Sequence, residues 1–574
     1  MFTQKTEKFS GESYDCVVET RCRVVIRDGH PIIRDELQEL IMAIAISNNI
    51  RTSGTYFFIV LSFRYKKDFR YVLRPLLDFR CTPYRFFHNV QKHHFCMFRQ
   101  KFYNFFVVKI HFIAIGGSVM HQLAIALKQK GYEVSGSDDE IFDPARSNLL
   151  AAGILPAQPG WFPEKISPQL DAVVVGMHAR ADNPELLKAK ALQLKIYSFP
   201  EFIAHESCHK TRVVVGGSHG KTTITGMIMH VLKACGRTFD YLVGAAIPGF
   251  SQAVQLTDAP VIICEGDEYP ASALDSRPKF HLLKPHIAII SGISWDHINV
   301  FPTWEQYLQQ FARFIEVIEP HGSLIYNQDD ATLSDLVRRS SRTDLQLIGY
   351  SLPKWTVEKG ITFVYDDQHH AIPLRIFGEH NLLNLQAARQ ACALLGVSST
   401  DFFQAITSFT GASRRLELIA SYPQAAIYRD FAHAPSKVKA TIQALRKQFP
   451  ERKLIAVLEL HTYSSLSVSF QNQYAGCMDE AHIAAVFYSP HTLALKRLPE
   501  LTPDTIKQGF RREDLHVFQH IDNLLSFLEQ QDYRDTTLLL MSSGNFDGMD
   551  MEYIRSLPDR SPTSSLHQHG WTGA

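Results

Sequence analysis

The sequence predicts an α/β protein built on parallel sheets, and three observations carry that prediction. Short β-branched runs recur along the chain, each followed by an amphipathic helical stretch, the alternation that builds parallel sheets. Two of these runs open into glycine-rich turns, Gly116-Gly117-Ser118 and Gly216-Gly217-Ser218-His219-Gly220-Lys221. The chain has 574 residues, enough for three or four domains at roughly 150 residues each. With 45% apolar and 20% charged residues it can bury substantial cores and is neither disordered nor fibrous. Lys plus Arg number 59 against 58 Asp plus Glu, a balance that argues against a global nucleic-acid or membrane-surface role. The nine cysteines include no CxxC pair and read as reduced thiols of a cytoplasmic protein. No apolar run reaches the roughly 18 to 20 residues of a membrane span, and residues 1–20 lack the apolar core of a secretory signal.

The orderly pattern begins at Lys109, after a break in composition. Between Tyr56 and Phe106 there are 17 Phe or Tyr in 51 positions, and Arg64 to Lys101 holds ten basic residues against Asp68 and Asp78. An aromatic, basic surface of this kind could stack on single-stranded nucleic acid or touch a membrane. The favoured reading is that residues 1–108 are an extension outside the working protein, upstream sequence translated in frame.

Three groups of elements follow. In the first, residues 109–206, Ile110 to Ile115 reads as a strand entering the Gly116-Gly117-Ser118 turn, with a helix from near Met120. Glycines there let the backbone approach a diphosphate, which the helix N-terminus stabilises. Asp138, after a second strand, stands where a ribose hydroxyl could sit. That turn fits any Rossmann-like nucleotide site, a nicotinamide oxidoreductase included, although Val119 and Met120 occupy positions where the dinucleotide fingerprint wants small residues. Ala172 to Val175 reads as a further strand of this group.

The second group, residues 207–411, opens on a strand at Arg212 to Val215 and then Gly217-Ser218-His219-Gly220-Lys221-Thr222-Thr223. Such a loop presents consecutive N–H groups to a triphosphate, with Lys221 for the β and γ phosphates and the Thr222 hydroxyl for Mg²⁺. Val215 stands where the strict motif has glycine, so the loop is a shortened one. Past the strand Val261 to Cys264, Glu265 begins an acidic cluster with Asp267 and Glu268. Glu265 is a candidate Mg²⁺ ligand, although the cluster taken alone reads rather as a helix-start group that complements the dipole. The strand Ile287 to Ile290 leads to Asp296-His297, a candidate metal or substrate contact. In the third group, residues 412–560, Leu454 to Leu458 and Thr537 to Met541 read as buried strands. A tail rich in Ser, Pro and His, residues 561–574, is expected to be disordered.

Six ordered motifs then stand together: Gly217-Ser-His-Gly-Lys-Thr-Thr223, Glu265 with Asp-Glu-Tyr, Asp296-His297, Gly378-Glu-His-Asn381-Leu-Leu-Asn384, Arg414-Arg415-Leu-Glu417 and Asp430-Phe-Ala-His433-Ala-Pro435. In order and approximate spacing they resemble the Mur ligases, ATP-dependent amide-bond-forming enzymes of peptidoglycan metabolism, over residues 109–558. The segments Asp275-Ser-Arg277-Pro-Lys279-Phe280 and Met541-Ser-Ser-Gly-Asn-Phe-Asp-Gly548 bring the resemblance nearest to the recycling branch. That branch joins UDP-N-acetylmuramate to the peptide L-Ala-γ-D-Glu-meso-diaminopimelate; the branch that adds L-alanine to the same nucleotide is the alternative.

The resemblance implies a Rossmann-like UDP-sugar domain (109–206), a central phosphate-loop ATPase domain (207–411) and a Rossmann-like domain for the amine (412–560). It implies that Gly116, Gly117 and Ser118 hold the UDP diphosphate, and that Lys221 and Thr222 hold ATP and Mg²⁺. Glu265 would sit on the metal, with His297 near a second one. Asn381 and Asn384 would face adenine, Arg415 the transferring phosphate and Asp430 the ATP ribose. His433 would lie near the domain cleft, and His297 or His433 would accept the amine proton. Lys221, His297 and Arg415 are the expected catalytic residues. The expected partners are the UDP-sugar and peptide, with a monomer or weak homo-oligomer and no nucleic acid or membrane. Three positions depart from the family pattern: Pro270 after Asp-Glu-Tyr, Arg429 before Asp430, and Ala434. A different class, a phosphate-loop switch or motor ATPase, would hydrolyse ATP without either substrate.

Overall fold

The computed structural model describes residues 107–272, 274–295 and 300–560, and nearer the N-terminus the backbone of two strands. The chain divides into two compact units, Met1–Gln91 and Lys92–Ala574. In the first, β1 (Ser13–Val18) and β2 (Cys22–Arg27) form an antiparallel hairpin. The aromatic, basic stretch Tyr56 to Phe106 and the tail 561–574, with the readings placed on them, lie outside the described residues.

The second unit holds three main sheets. The first is parallel, in the order β4–β3–β5–β6: β3 is Lys109–Ile113, β4 Glu133–Ser137, β5 Ala172–Val175 and β6 Ile196–Ser198. Strand β3 ends two residues earlier than the sequence suggests. Ala114 turns into the left-handed region (φ 66°), so that its N–H and that of Ile115 both donate to the Ser137 carbonyl.

The central sheet is built from β7 (Thr211–Gly216), β8 (Asp240–Leu242), β9 (Val254–Gln255), β10 (Val261–Glu265), β13 (Ile287–Ile290), β14 (Ser323–Asn327) and β15 (Gln346–Tyr350). Its order is β15–β14–β13–β7–β10–β8–β9, parallel except for the edge pair β8–β9. The inner strands are mainly apolar because helices cover both faces, β13 wholly so, with every residue buried. A short hairpin, β11 (Pro270–Ser272) and β12 (Asp275–Pro278), branches off after β10. An antiparallel meander, β16 (Trp355–Glu358), β17 (Ile361–Tyr365) and β18 (Ala371–Leu374), follows. Lys359 (φ 51°) and Gly360 (φ 75°) form the two-residue loop between β16 and β17, the left-handed pair that matches hairpin twist.

The third sheet has the order β19–β20–β24–β21–β22–β23. Its strands are β19 (Glu417–Ser421), β20 (Ala425–Asp430), β21 (Lys453–Glu459), β22 (Ile483–Phe487), β23 (His516–Phe518) and β24 (Thr536–Met541), parallel but for β19 on β20. One apolar core runs continuously from the first sheet to one face of the central sheet, Phe112 and Leu123 sharing it with Phe280 and Phe311. Separate cores fill the other face of the central sheet and the two faces of the third. Among the described residues no helix is long and apolar enough to cross a membrane, and the five described cysteines are free thiols.

Candidate active site

The phosphate loop leaves the C-terminal end of β7, which lies between β13 and β10 in the middle of the sheet. Two glycines make its shape possible. Gly217 (φ 121°) passes so close to Ser291 that a Cβ would fall 2.2 Å from its Oγ, and Gly220 (φ 75°) so close to Asn384 that one would fall 2.1 Å from Oδ1. The helix Lys221–Ala234 then begins on Gly220 with no side-chain cap, which leaves its first N–H groups to a ligand. Thr222 and Thr223 are buried in its first turn.

Lys221 Nζ donates to the Gly217 carbonyl at 2.9 Å and to Glu268 Oε2 at 2.5 Å. Burial alone would push this ammonium down, but the carboxylates of Glu268, Asp267 and Glu265 outweigh it and hold Lys221 above its ordinary value. At the next residue, the Thr222 hydroxyl donates to Glu265 Oε1 at 2.7 Å, while Glu265 Oε2 accepts the Gly244 N–H at 2.8 Å. An adjacent hydroxyl and carboxylate are the hard oxygen donors that Mg²⁺ prefers, so these residues fit the ion. Asp296 and His297 lie outside the described residues.

Ser218 turns inward: its hydroxyl bonds Tyr307 Oη at 2.8 Å and accepts the Ser294 N–H at 2.9 Å. Tyr307, fully buried, also donates to Glu268 at 3.3 Å. Glu268 was legible as a member of the acidic cluster. Tyr307 carried no signal, since it belongs to the apolar face of the helix Trp304–Glu316.

Asn384 lies over Gly220, and Asn381 donates to the Phe377 carbonyl at 2.9 Å. Both lie in the first two turns of the helix Glu379–Leu394. Burial pushes the neighbouring His380 imidazole down, against the pull of Asp430.

From the third sheet, Arg415 places its guanidinium 4.5 Å from the Phe431 ring centroid. Asp430 Oδ1 accepts the N–H groups of Leu416 (3.0 Å) and Phe431 (2.9 Å), and its Oδ2 the Thr441 hydroxyl (2.6 Å). His433 Nδ1 donates to the Phe431 carbonyl at 2.9 Å. Contact between the loop and this third part runs through His219, whose Nε2 lies 2.8 Å from Ser436 Oγ at the start of the helix Pro435–Gln448.

In the first sheet Gly116 and Gly117 avoid the left-handed region; Gly116 is needed for space, since a Cβ would fall 2.9 Å from Asp138 Oδ2. That oxygen accepts the Gly116 N–H at 2.7 Å, so Asp138 closes the turn upon itself. Burial, with Asp139 beside it, pushes Asp138 up to about 6. Ser118 is exposed, and the helix Met120–Gln129 starts with no side-chain cap. Arg277 binds Asp275 and reaches Glu201 of the first part at 2.7 Å.

Models of the Mur ligase family match three stretches: the catalytic domain over residues 109–211, the middle domain over 215–392 and the glutamate ligase domain over 414–544. The UDP-N-acetylmuramate–L-alanine ligase of Caldicellulosiruptor bescii is 32% identical, over 64% of this chain and 80% of that protein. The UDP-N-acetylmuramate–L-alanyl-γ-D-glutamyl-meso-2,6-diaminoheptandioate ligase of Haemophilus influenzae is 28% identical, over 78% of this chain and 99% of that protein. A solved murein peptide ligase from Psychrobacter arcticus shares the fold, with a TM-score of 0.54 at 21% identity over 79% of this chain and 99% of that one.

Proposed function

This chain belongs to the Mur ligase family of ATP-dependent amide ligases, and from that premise we propose that it joins UDP-N-acetylmuramate to the tripeptide L-Ala-γ-D-Glu-meso-diaminopimelate. The observation that carries the ATP chemistry is the uncapped helix start at Gly220, with Lys221 held charged by Glu268 and Thr222 bonded to Glu265. The tripeptide is supported by likeness to the Haemophilus protein over nearly its whole length. The second reading, L-alanine as the amine, is favoured by the higher identity to the Caldicellulosiruptor protein.

Residues 109–206 are assigned to the UDP-sugar, 207–411 to ATP and 412–560 to the amine. A carboxylate is a poor acyl donor because oxide is a poor leaving group. The lactyl carboxylate therefore attacks the γ-phosphorus of ATP to give an acyl phosphate and ADP. The amine then attacks the acyl carbon and expels phosphate. Gly217 to Thr223 cradle the phosphates, and Lys221 and Arg415 stabilise the charge that develops on them. Asn381 and Asn384 meet adenine and Asp430 the ribose. Gly116, Gly117, Ser118 and Asp138 bind the UDP-sugar, and His433 or His297 takes the amine proton. Thr222 and Glu265, with His297, would hold Mg²⁺, which supplies further charge neutralisation at the phosphates when bound.

The test is phosphate release from ATP in the presence of UDP-N-acetylmuramate, with the tripeptide compared against L-alanine. Stimulation by the tripeptide alone is expected. Stimulation by L-alanine alone would move the chain to the second reading, and hydrolysis with neither amine nor UDP-sugar would make it a switch ATPase.

A further inference from the structure

Arg415 sits in an unusual turn. The residues on both sides of it, Arg414 (φ 56°) and Leu416 (φ 47°), occupy the left-handed region, which side-chain-bearing residues enter only when their surroundings over-determine it. Two carboxylates provide that constraint. Leu416 N–H donates to Asp430 Oδ1 at 3.0 Å, and Arg414 N–H donates to Glu417 Oε2 at 2.9 Å. The same Glu417 oxygen accepts Arg429 Nη2 at 2.9 Å, because the β19–β20 register sets Glu417 directly opposite Arg429. Asp430 is fixed by Phe431 and Thr441, whereas Glu417 and Arg429 are partly exposed, with side chains 37% and 25% accessible. A glutamate so placed would sample several rotamers without the guanidinium.

We propose that Glu417 and Arg429 form a positioning pair that locks the Arg414–Leu416 turn and so aims the Arg415 guanidinium, which lies over Phe431, at the transferring phosphate. Arg429, which departs from the family pattern, thus has a task in this chain. The proposal rests on the reading of Arg415 as a phosphate contact. A cross-strand ion pair at this exposure adds little to stability, so its effect should appear in the chemistry.

The experiment measures kcat, the ATP KM and the melting temperature of the full chain and of R429A, E417A, R415A and the charge-reversed pair E417R/R429E. Phosphate release is followed with ATP and UDP-N-acetylmuramate, with the tripeptide and L-alanine supplied in turn. R429A and E417A should each lower kcat about ten- to a hundredfold, the scale of a misplaced catalytic group, with the ATP KM and melting temperature nearly unchanged. The reversed pair restores the ion pair but leaves Arg414 N–H without a carboxylate, so it should stay as slow as E417A. Recovery of kcat in the reversed pair would reduce the contact to a strand-strand pair and overturn the proposal. So would normal kcat in R429A while R415A is crippled. Normal kcat in R415A would instead remove the reading of Arg415 itself, and the proposal with it.

Discussion

At the scale of the residue, Lys221 and Asp138 show how burial is answered in opposite ways. Lys221 has carboxylates around it, and its charge survives burial; a preformed cation then costs no reorganisation when phosphate charge develops. Replacing it with Ala should lower kcat about 10² to 10³-fold, measured as phosphate release with both substrates present. Near-normal turnover would remove it from the mechanism. Among the described residues Asp138 has a backbone N–H for a partner and an acid, Asp139, beside it, with no cation to offset its burial. Its carboxyl therefore titrates near 3.8 unfolded and about 6 folded, so the fold binds its proton more tightly. The stability this contributes is complete below the unfolded value and is lost as pH rises through the folded one. Asp138→Asn, which keeps an acceptor for Gly116, should flatten the melting temperature between those two values and raise it above them. An unaltered pH profile would refute the assignment.

At the scale of the element, the phosphate loop is a strand end, two glycines and an uncapped helix, and most of this was legible because it is local. Gly-Lys-Thr-Thr announces the loop by composition alone, and β7 before it and the helix after it follow from hydrophobic patterning. What lies against the loop was legible only in part. The resemblance puts Asn384 at ATP, but not its approach to Gly220 from a helix far along the chain; Ser291, which follows β13, and Tyr307 reach the loop with nothing in the sequence to single them out. A methyl group shows the constraint: Gly220→Ala would strain a left-handed residue and drive its Cβ into the Asn384 amide. It should cost about a hundredfold in kcat/KM, the scale of a displacement near 1 Å. Activity comparable with wild type would mean that the loop relaxes freely. The first glycine turn teaches the complementary lesson. Its position was read correctly, but Ala114 bears the left-handed conformation while Gly116 makes room for Asp138.

At the scale of the whole molecule, the third sheet is tied to the central part by contacts of unequal worth. Lys447 meets Glu379 at 2.6 Å with both side chains about half exposed, a pair worth at most about 1 kcal/mol. Gln448 is buried, accepts the Thr362 hydroxyl at 2.8 Å and donates to the Gly360 carbonyl at 2.6 Å. Its loss leaves the buried Thr362 hydroxyl unpaired, at about 1 to 3 kcal/mol, whereas the Gly360 carbonyl, in an exposed turn, turns to water. Hydrogen exchange across β16–β18 should therefore quicken markedly in Gln448→Ala and little in Lys447→Ala; equal effects would contradict this ranking. The amino-acid sequence by itself determined the α/β class, the buried strands β3, β5, β7, β10, β13, β21 and β24, the phosphate loop and the carboxylate that ends β10, since each depends on neighbours in the chain, on periodicity or on a motif. Only the tertiary structure decided that Lys221 pairs with Glu268, that Asp138 closes upon Gly116, that Asp430 and Glu417 share the restraint of one turn, and that His219 meets Ser436. Most of those pairings join residues far apart in the chain, and which partner each one finds is fixed by how the sheets and the loops between them pack.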